Sequence, residues 1–185
     1  MPEPSCESLL DELRAYQPAD ARERAMRDRI AAFVAEHSDA LERSLQIGHI
    51  TASAWIVDPS RTRVLLLHHR KLDRWLQPGG HADGDADLRR AAMREAAEET
   101  GLRRLRFASR AIYDVDVHAI PALPGEPAHE HFDVRFALEG DPHEPLARNH
   151  ESREVAWIAL DALAAYGADE SVLRLARKTA TLSRA

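Results

Sequence analysis

The chain has one cysteine, Cys6, among 185 residues, so no internal disulfide framework can staple it. It has no run of the roughly 18–20 apolar residues that a membrane-spanning helix needs. It also lacks an excess of positive charge. Lys and Arg number 25 against 31 Asp and Glu, a formal net charge of −6, the reverse of the basic stripe expected of a nucleic-acid surface. The opening residues Met-Pro-Glu-Pro-Ser-Cys-Glu are acidic and proline-bearing, unlike a secretory signal, which makes the cytoplasm the expected location. Internal repeats and low-complexity tracts are missing as well. A composition 44% hydrophobic and 30% charged is that of a globular chain, long enough for one domain with a real core and a small appendage.

Residues 1–46 read as a helical extension: Ser8–Tyr16, a break at Pro18, then Asp20–His37 with Ala21, Met26, Ile30, Phe33 and Val34 as the apolar positions. This extension carries no visible chemistry and suits a helical cap or a homodimer surface. From residue 47 to 185 the texture is that of a mixed α/β domain. Thr51–Val57 and Arg63–His69 are β-rich runs around the turn Asp58-Pro59-Ser60. Pro78-Gly79-Gly80 reads as a loop, and Asp87–Thr100 as a helix that stops at Gly101. Strands are expected over Phe107–His118, Glu130–Leu138 and Val155–Leu160, with a loop carrying Pro121, Pro124-Gly125 and Pro127 between the first two. Helices over Asp161–Tyr166 and Glu170–Lys178 close the chain. Strands flanked by helices at both ends predict an α+β or α/β sandwich.

The most informative segment is the helix. Glu95, Glu98 and Glu99 stand at i, i+3 and i+4, so their carboxylates share one face. A like-charge i,i+4 pair costs a few tenths of a kcal/mol, part of which an Arg94–Glu98 pair would offset. Such a face is common as plain solvated surface. It becomes useful if a hard cation sits among the oxygens, because magnesium takes carboxylate, carbonyl and water ligands together with substrate phosphates.

The longer pattern decides between these readings. Gly80, Arg94-Glu95-Ala96, Glu98-Glu99 and Gly101-Leu102 resemble the Nudix box, G-x5-E-x7-R-E-U-x-E-E-x-G-U with U apolar, and Trp75-Leu76-Gln77-Pro78-Gly79-Gly80 is similar to the segment that leads into it. The resemblance covers roughly Gly48 to Tyr166 and departs at one box position, where Ala86 stands between Asp85 and Asp87 in place of glutamate. Either an aspartate substitutes after a local shift, or that carboxylate is dispensable.

The resemblance implies a MutT-like hydrolase with a Nudix-type α/β/α sandwich and a mixed sheet. It implies Mg2+ or Mn2+ at Glu95, Glu98 and Glu99 with the Gly80 carbonyl as a further ligand, and Glu98 or Glu99 handling the attacking water. Arg94 would orient the carboxylates. The substrate would be a nucleoside diphosphate linked to another moiety, a small molecule rather than nucleic acid or membrane. A Nudix-fold isomerase that relies on a catalytic cysteine is disfavoured, since Cys6 lies far outside the box. A non-catalytic nucleotide-binding or regulatory module is the alternative. Such modules commonly lose box glutamates, and here the helix trio survives.

A second polar pattern follows the box. Asp114, Asp116 and His118 alternate with apolar residues, as do His129, His131, Asp133 and Arg135, and a hairpin would set the two rows side by side. A wetted sheet face also alternates, yet His, Asp and Arg are unusual on one. A substrate-pocket or auxiliary metal role is expected for His129, His131, Asp133 and Arg135, as contacts to the leaving group or a phosphate, with a plain wetted face as the alternative, and Arg70 and His81 are further substrate-binding candidates. Glu151 and Glu154 stand where a further carboxylate outside the box is often kept in the family, or form part of a polar loop.

Overall fold

A computed structural model describes residues 4–122 and 127–182. Met1–Glu3, read above for their charge, and Pro124-Gly125 of the expected loop lie outside the described residues. Helix α1 (Cys6–Ala15) starts at a capping box in which Ser5 and Ser8 each bond the other's backbone N–H, and α2 (Ala21–Glu36) starts where Asp20 accepts from the Glu23 amide. Pro18 sits between them, where neither helix has to donate its missing N–H.

Strand β1 (Gly48–Val57) is buried along its whole length and organises an eight-stranded mixed sheet. Its parallel neighbour is β7 (His129–Glu139), in register from Gly48↔Glu130 to Val57↔Glu139. The opposite edge of β1 is shared. β2 (Arg63–His69) pairs with Ile56 and Val57, whereas β4 (Gly79–His81) pairs with Ser53, Ala52 and Thr51. The sheet therefore splits along β1, and β4 diverges from β2 at the split. β2 also carries β3 (Arg74–Leu76) and β8 (Ser152–Ala159), while β7 carries β5 (Arg106–Phe107) and β6 (Asp114–Ile120).

Because side chains alternate along β1, it feeds two cores. Ile50 and Ala52 pack with Leu9, Leu13, Ile30 and Phe33 of α1 and α2 and with Leu88, Ala91 and Ala92 of α3 (Leu88–Thr100). Ala54 and Ile56 continue that layer against Ala96. On the other face Trp55 and Val57 pack with Leu163, Val172 and Leu175 from the 3₁₀ segment Leu160–Tyr166 and from α4 (Glu170–Lys178). This is the expected α/β/α sandwich. The N-terminal helices share one continuous core with α3, so their apolar face is buried within the chain.

Three local expectations need correction. The single strand expected over Phe107–His118 is two, β5 and β6. Between them Ser109 accepts from the Ala111 amide and the Arg110 carbonyl is taken by Arg89, so the chain bows off β7 before rejoining it. The loop expected around Pro78-Gly79-Gly80 is partly strand, since Gly79 and Gly80 pair with β1. Three residues are too few to show a period, and their pairing is entirely long-range. Asp161–Tyr166 is a 3₁₀ segment rather than an α-helix, ended by Gly167 in the left-handed region.

Candidate active site

Helix α3 is framed by local chemistry. Asp87 caps its start, accepting from the Arg90 amide at 3.2 Å, and Gly101 ends it at φ 76° with its N–H on the Ala97 carbonyl. Its alanines Ala91, Ala92 and Ala96 are wholly buried, which lets the helix lie close against β1 and β4. That approach brings its acidic face onto the Gly-Gly strand. The Gly79 amide donates to Glu99 Oε2 at 2.9 Å. The Glu95 carboxylate lies so close to Gly80 that an added Cβ would stand 2.6 Å from its carboxyl carbon. Glu99 is 4% exposed, Glu95 is half-buried and Glu98 is exposed, so the three members of one helical face meet three environments.

Arg94 does not reach Glu98 as the i,i+4 spacing suggested. Its Nη2 donates to Glu95 Oε1 at 2.9 Å and to the His81 carbonyl at 3.0 Å, tying the helix to β4 and orienting one carboxylate. Asp85 and Asp87, the two candidates to replace the missing box glutamate, both have local duties. Asp85 accepts from Arg90 and from the Asp87 amide, and Asp87 is the helix cap. Ala86 between them packs against the apolar core.

Burial pushes the Glu99 carboxyl up to about 7. The Gly79 N–H pulls it back, the charges of Glu95 and Glu151 push it further, and a hydrogen bond from Asn149 opposes them. The loop Asn149–Glu151 therefore faces the site, which the sequence left undecided between a polar loop and an extra carboxylate. An all-oxygen set with one carboxylate raised by burial and by like charge suits a hard divalent cation, since such an ion favours the ionised form.

The other sequence candidates separate. Arg70 is exposed, its amide on the Glu151 carbonyl at 2.8 Å, beside that same loop. His81 ends β4 and turns to the sheet face opposite α3. His129 and His131 lie on that face too, half-buried, with their Nε2 atoms 3.2 Å apart. Asp133 and Arg135 stand in the same row but are 1% and 2% exposed. Arg135 is spent within the protein: Nε on Asp133 at 2.7 Å, Nη1 on Asp114 and Ser171, and Nη2 on Asp116 at 2.8 Å. The direct substrate contact expected of these two gives way to an internal ion network. The β6–β7 hairpin does set the polar rows side by side, Asp114↔Arg135 and His118↔His131, but α4 covers one end of them with Ser171, Arg174 and Lys178.

Two groups escaped the sequence reading. His49 precedes the strand as read from periodicity, yet it is opposite His131 in β1. Trp75 stacks on His68 at 5.2 Å and meets the exposed Tyr166 edge-on at 5.5 Å. Its chemistry is visible only after β3 has paired with β2.

Gly80→Ala tests the close approach. The clashing atoms are the far end of the Glu95 side chain, so the fold is expected to tolerate the change while the carboxylate is displaced. Displacement on the ångström scale predicts a drop in kcat/KM on the order of 10–100-fold, with the thermal midpoint nearly unchanged. A variant as active as the wild type would show that Glu95 need not lie against Gly80.

A mixed sheet between two helical layers, with a glutamate-bearing helix laid on a Gly-Gly strand, defines the class of Nudix folds. The family model of the NUDIX domain matches residues 48–177. The chain belongs to the Nudix family. Among solved structures it is similar to an Ap4A hydrolase from C. elegans in a binary complex, at 19% identity over 71% of this chain and 95% of that one, TM-score 0.57. It is similar also to a NUDIX-family hydrolase from Clostridium perfringens, at 24% identity over 73% and 98% of the two chains, TM-score 0.54. A third is the E. coli dihydroneopterin triphosphate pyrophosphohydrolase, at 21% identity over 70% and 92%, TM-score 0.50. At these identities the likeness is one of fold. No curated protein matches the chain in sequence. No helix among the described residues is long and apolar enough to cross a membrane.

Proposed function

We propose that the chain hydrolyses the diphosphate bond of a nucleoside diphosphate linked to another moiety, with Mg2+ or Mn2+ held by Glu95, Glu98, Glu99 and the Gly80 carbonyl. The observation that carries this reading is the convergence of the Glu95 and Glu99 carboxylates on Gly79-Gly80, at van der Waals and hydrogen-bond range respectively. A bound divalent ion supplies Lewis acidity to the phosphoryl oxygens and offsets the charge of an acidic protein meeting an anionic substrate. The residues do the rest. Gly79 fixes one oxygen of Glu99, Arg94 positions Glu95, and a carboxylate of the trio takes the proton of the attacking water. The water oxygen bonds to phosphorus, the bridging P–O bond breaks, and two phosphorylated products leave. Arg70, beside the Asn149–Glu151 loop that reaches Glu99, and His81, next to Gly80, are the candidate contacts to a phosphate or leaving group.

A panel of nucleoside diphosphate sugars, dinucleoside polyphosphates and nucleoside triphosphates, incubated with each metal in 18O-water and scored by product mass, tests the reading. The expected result is metal-dependent release of two phosphorylated products, one carrying the label. If no member of the panel yields phosphorylated product, the non-catalytic binding module takes its place, and Ala86 at the one altered box position would be its sequence mark.

A further inference from the structure

On the sheet face opposite α3, five histidines gather among the described residues. The register sets His49 beside His131 and His131 beside His118, while His81 lies beside Thr51 on β1. His129 is two residues before His131 on β7 and therefore shares its face. Ring centroids are 4.9 Å apart for His49–His131, 5.0 Å for His49–His129 and 4.8 Å for His49–His81. One ring nitrogen from each of His49, His129 and His131 falls within 4.8 Å of the others.

Three features of this group suit a set of metal ligands. His49 is 4% exposed, and apart from a backbone hydrogen bond at Leu45 its ring meets no hydrogen-bonding partner, so one nitrogen is left unpaired. Leaving such a nitrogen unpartnered forfeits its hydration without return, so an imidazole there needs a reason. The tautomer of His129 is set by Nδ1, 2.9 Å from the Pro127 carbonyl oxygen. A carbonyl only accepts, so the proton sits on Nδ1 and the Nε2 lone pair faces His131, the arrangement seen where an outer carbonyl orients a metal-ligating histidine. The two Nε2 atoms are 3.2 Å apart, joined by a hydrogen bond from His131 to His129, and that separation is also close to the roughly 3.3 Å between ligands of a tetrahedral ion with bonds near 2.0–2.1 Å.

The surroundings favour a cation. In the adjoining network the four carboxylates of Glu23, Asp114, Asp116 and Asp133 pair with three cations, Arg135, Arg174 and Lys178.

We propose that His49, His129 and His131 bind a zinc-class divalent ion, at a site distinct from the glutamate helix. Imidazole donors select zinc and its late transition-metal neighbours over magnesium. Three protein ligands leave the fourth position of a tetrahedral ion to water or an anionic group. The site does not depend on the hydrolase reading, since the box carboxylates lie on the other side of β4.

The test uses the untagged, chelator-treated full chain. Zn2+ titration by calorimetry is expected to give one tight equivalent, with Kd at or below about 1 μM, and Co2+ to give the intense visible absorption of a tetrahedral nitrogen site. His49→Ala and His131→Ala are expected to weaken Zn2+ at least about 100-fold, whereas Glu98→Gln retains wild-type affinity. Should His49→Ala fail to fold, His129→Ala at the half-buried rim and the Co2+ spectrum of the wild type carry the same decision. Sub-stoichiometric Zn2+ in the wild type overturns the proposal, as does binding lost in Glu98→Gln but kept in both histidine variants. Hydrolysis surviving without Zn2+ would leave the proposed function intact, so the two readings fail separately.

Discussion

Arg135→Ala is expected to destabilise the fold by about 3–5 kcal/mol, the range for removing one partner from a buried ion network. The guanidinium side chain is 3% exposed and bonds carboxylates from two strands, Asp114 and Asp116 on β6 and Asp133 on β7, with Ser171 of α4 as a fourth partner. Without it Asp133 retains only the hydroxyls of Ser53 and Thr51. Arg135→Lys is expected to recover only part of the loss, because an ammonium cannot replace a planar fork reaching four acceptors. Arg135→Met combined with Asp133→Asn should be milder than Arg135→Met alone, since it also removes the charge left unpaired. Urea unfolding of the set decides the matter, and a single-variant loss below about 1 kcal/mol would show that the network contributes little.

The same network sets an acid limit. Burial pushes the Asp114 carboxyl up, but the hydrogen bond from Arg174 and the charges of Arg135 and Lys178 outweigh it and hold the group at about 2. A folded pKa below the unfolded 3.8 means that this stabilisation is complete above about pH 4 and is lost as the pH falls through 2.

Glu99→Gln is expected to separate stability from activity. Turnover should fall about 10²–10⁴-fold, the usual span for losing a carboxylate that handles a proton or holds the ion. The metal-free protein should respond in the opposite sense. With the folded carboxyl raised to about 7 from 4.5, the folded chain binds more protons than the unfolded one between those values. Wild-type stability in chelator therefore declines as pH climbs from 4.5 to 7 and then levels. Glutamine has no charge to bury and can still accept from the Gly79 amide. The variant should thus gain on the wild type by up to about 3 kcal/mol at pH 8 and by little at pH 5. Thermal melts in chelator at the two pH values measure this difference. A variant less stable than wild type at pH 8 would mean that Glu99 is not held against its own charge. Glu98→Gln serves as the companion: Glu98 is exposed, so its loss should reduce turnover without the pH-dependent gain.

Much of the site is legible in the sequence alone. Glu95, Glu98 and Glu99 share a face by helical period, and Asp87 and Gly101 end their helix through contacts within four residues. The Arg94 partner is not legible in this way, because the helical spacing offers Glu98 while β4 brings the His81 carbonyl and favours Glu95. The β6–β7 hairpin follows from alternation, but alternation says only that a face exists and not what covers it. At Arg135 that face is sealed by α4, 36 residues on at Ser171, and by Ser53, paired across from it on β1. At His131 it stays half-open, and the ring meets His49, a residue with no local pattern to single it out.

The glutamate face that suggested metal chemistry is thus a property of the sequence itself, since period, cap and stop act over a few residues. Its environment is decided by tertiary structure. Glu99 is buried against Gly79, 20 positions away, and Arg135 reaches Asp114, 21 positions away. His49 and His131 converge from different strands that lie still further apart in the chain. Desolvation and charge pairing depend on distance in space, and only the closed sheet brings those groups together.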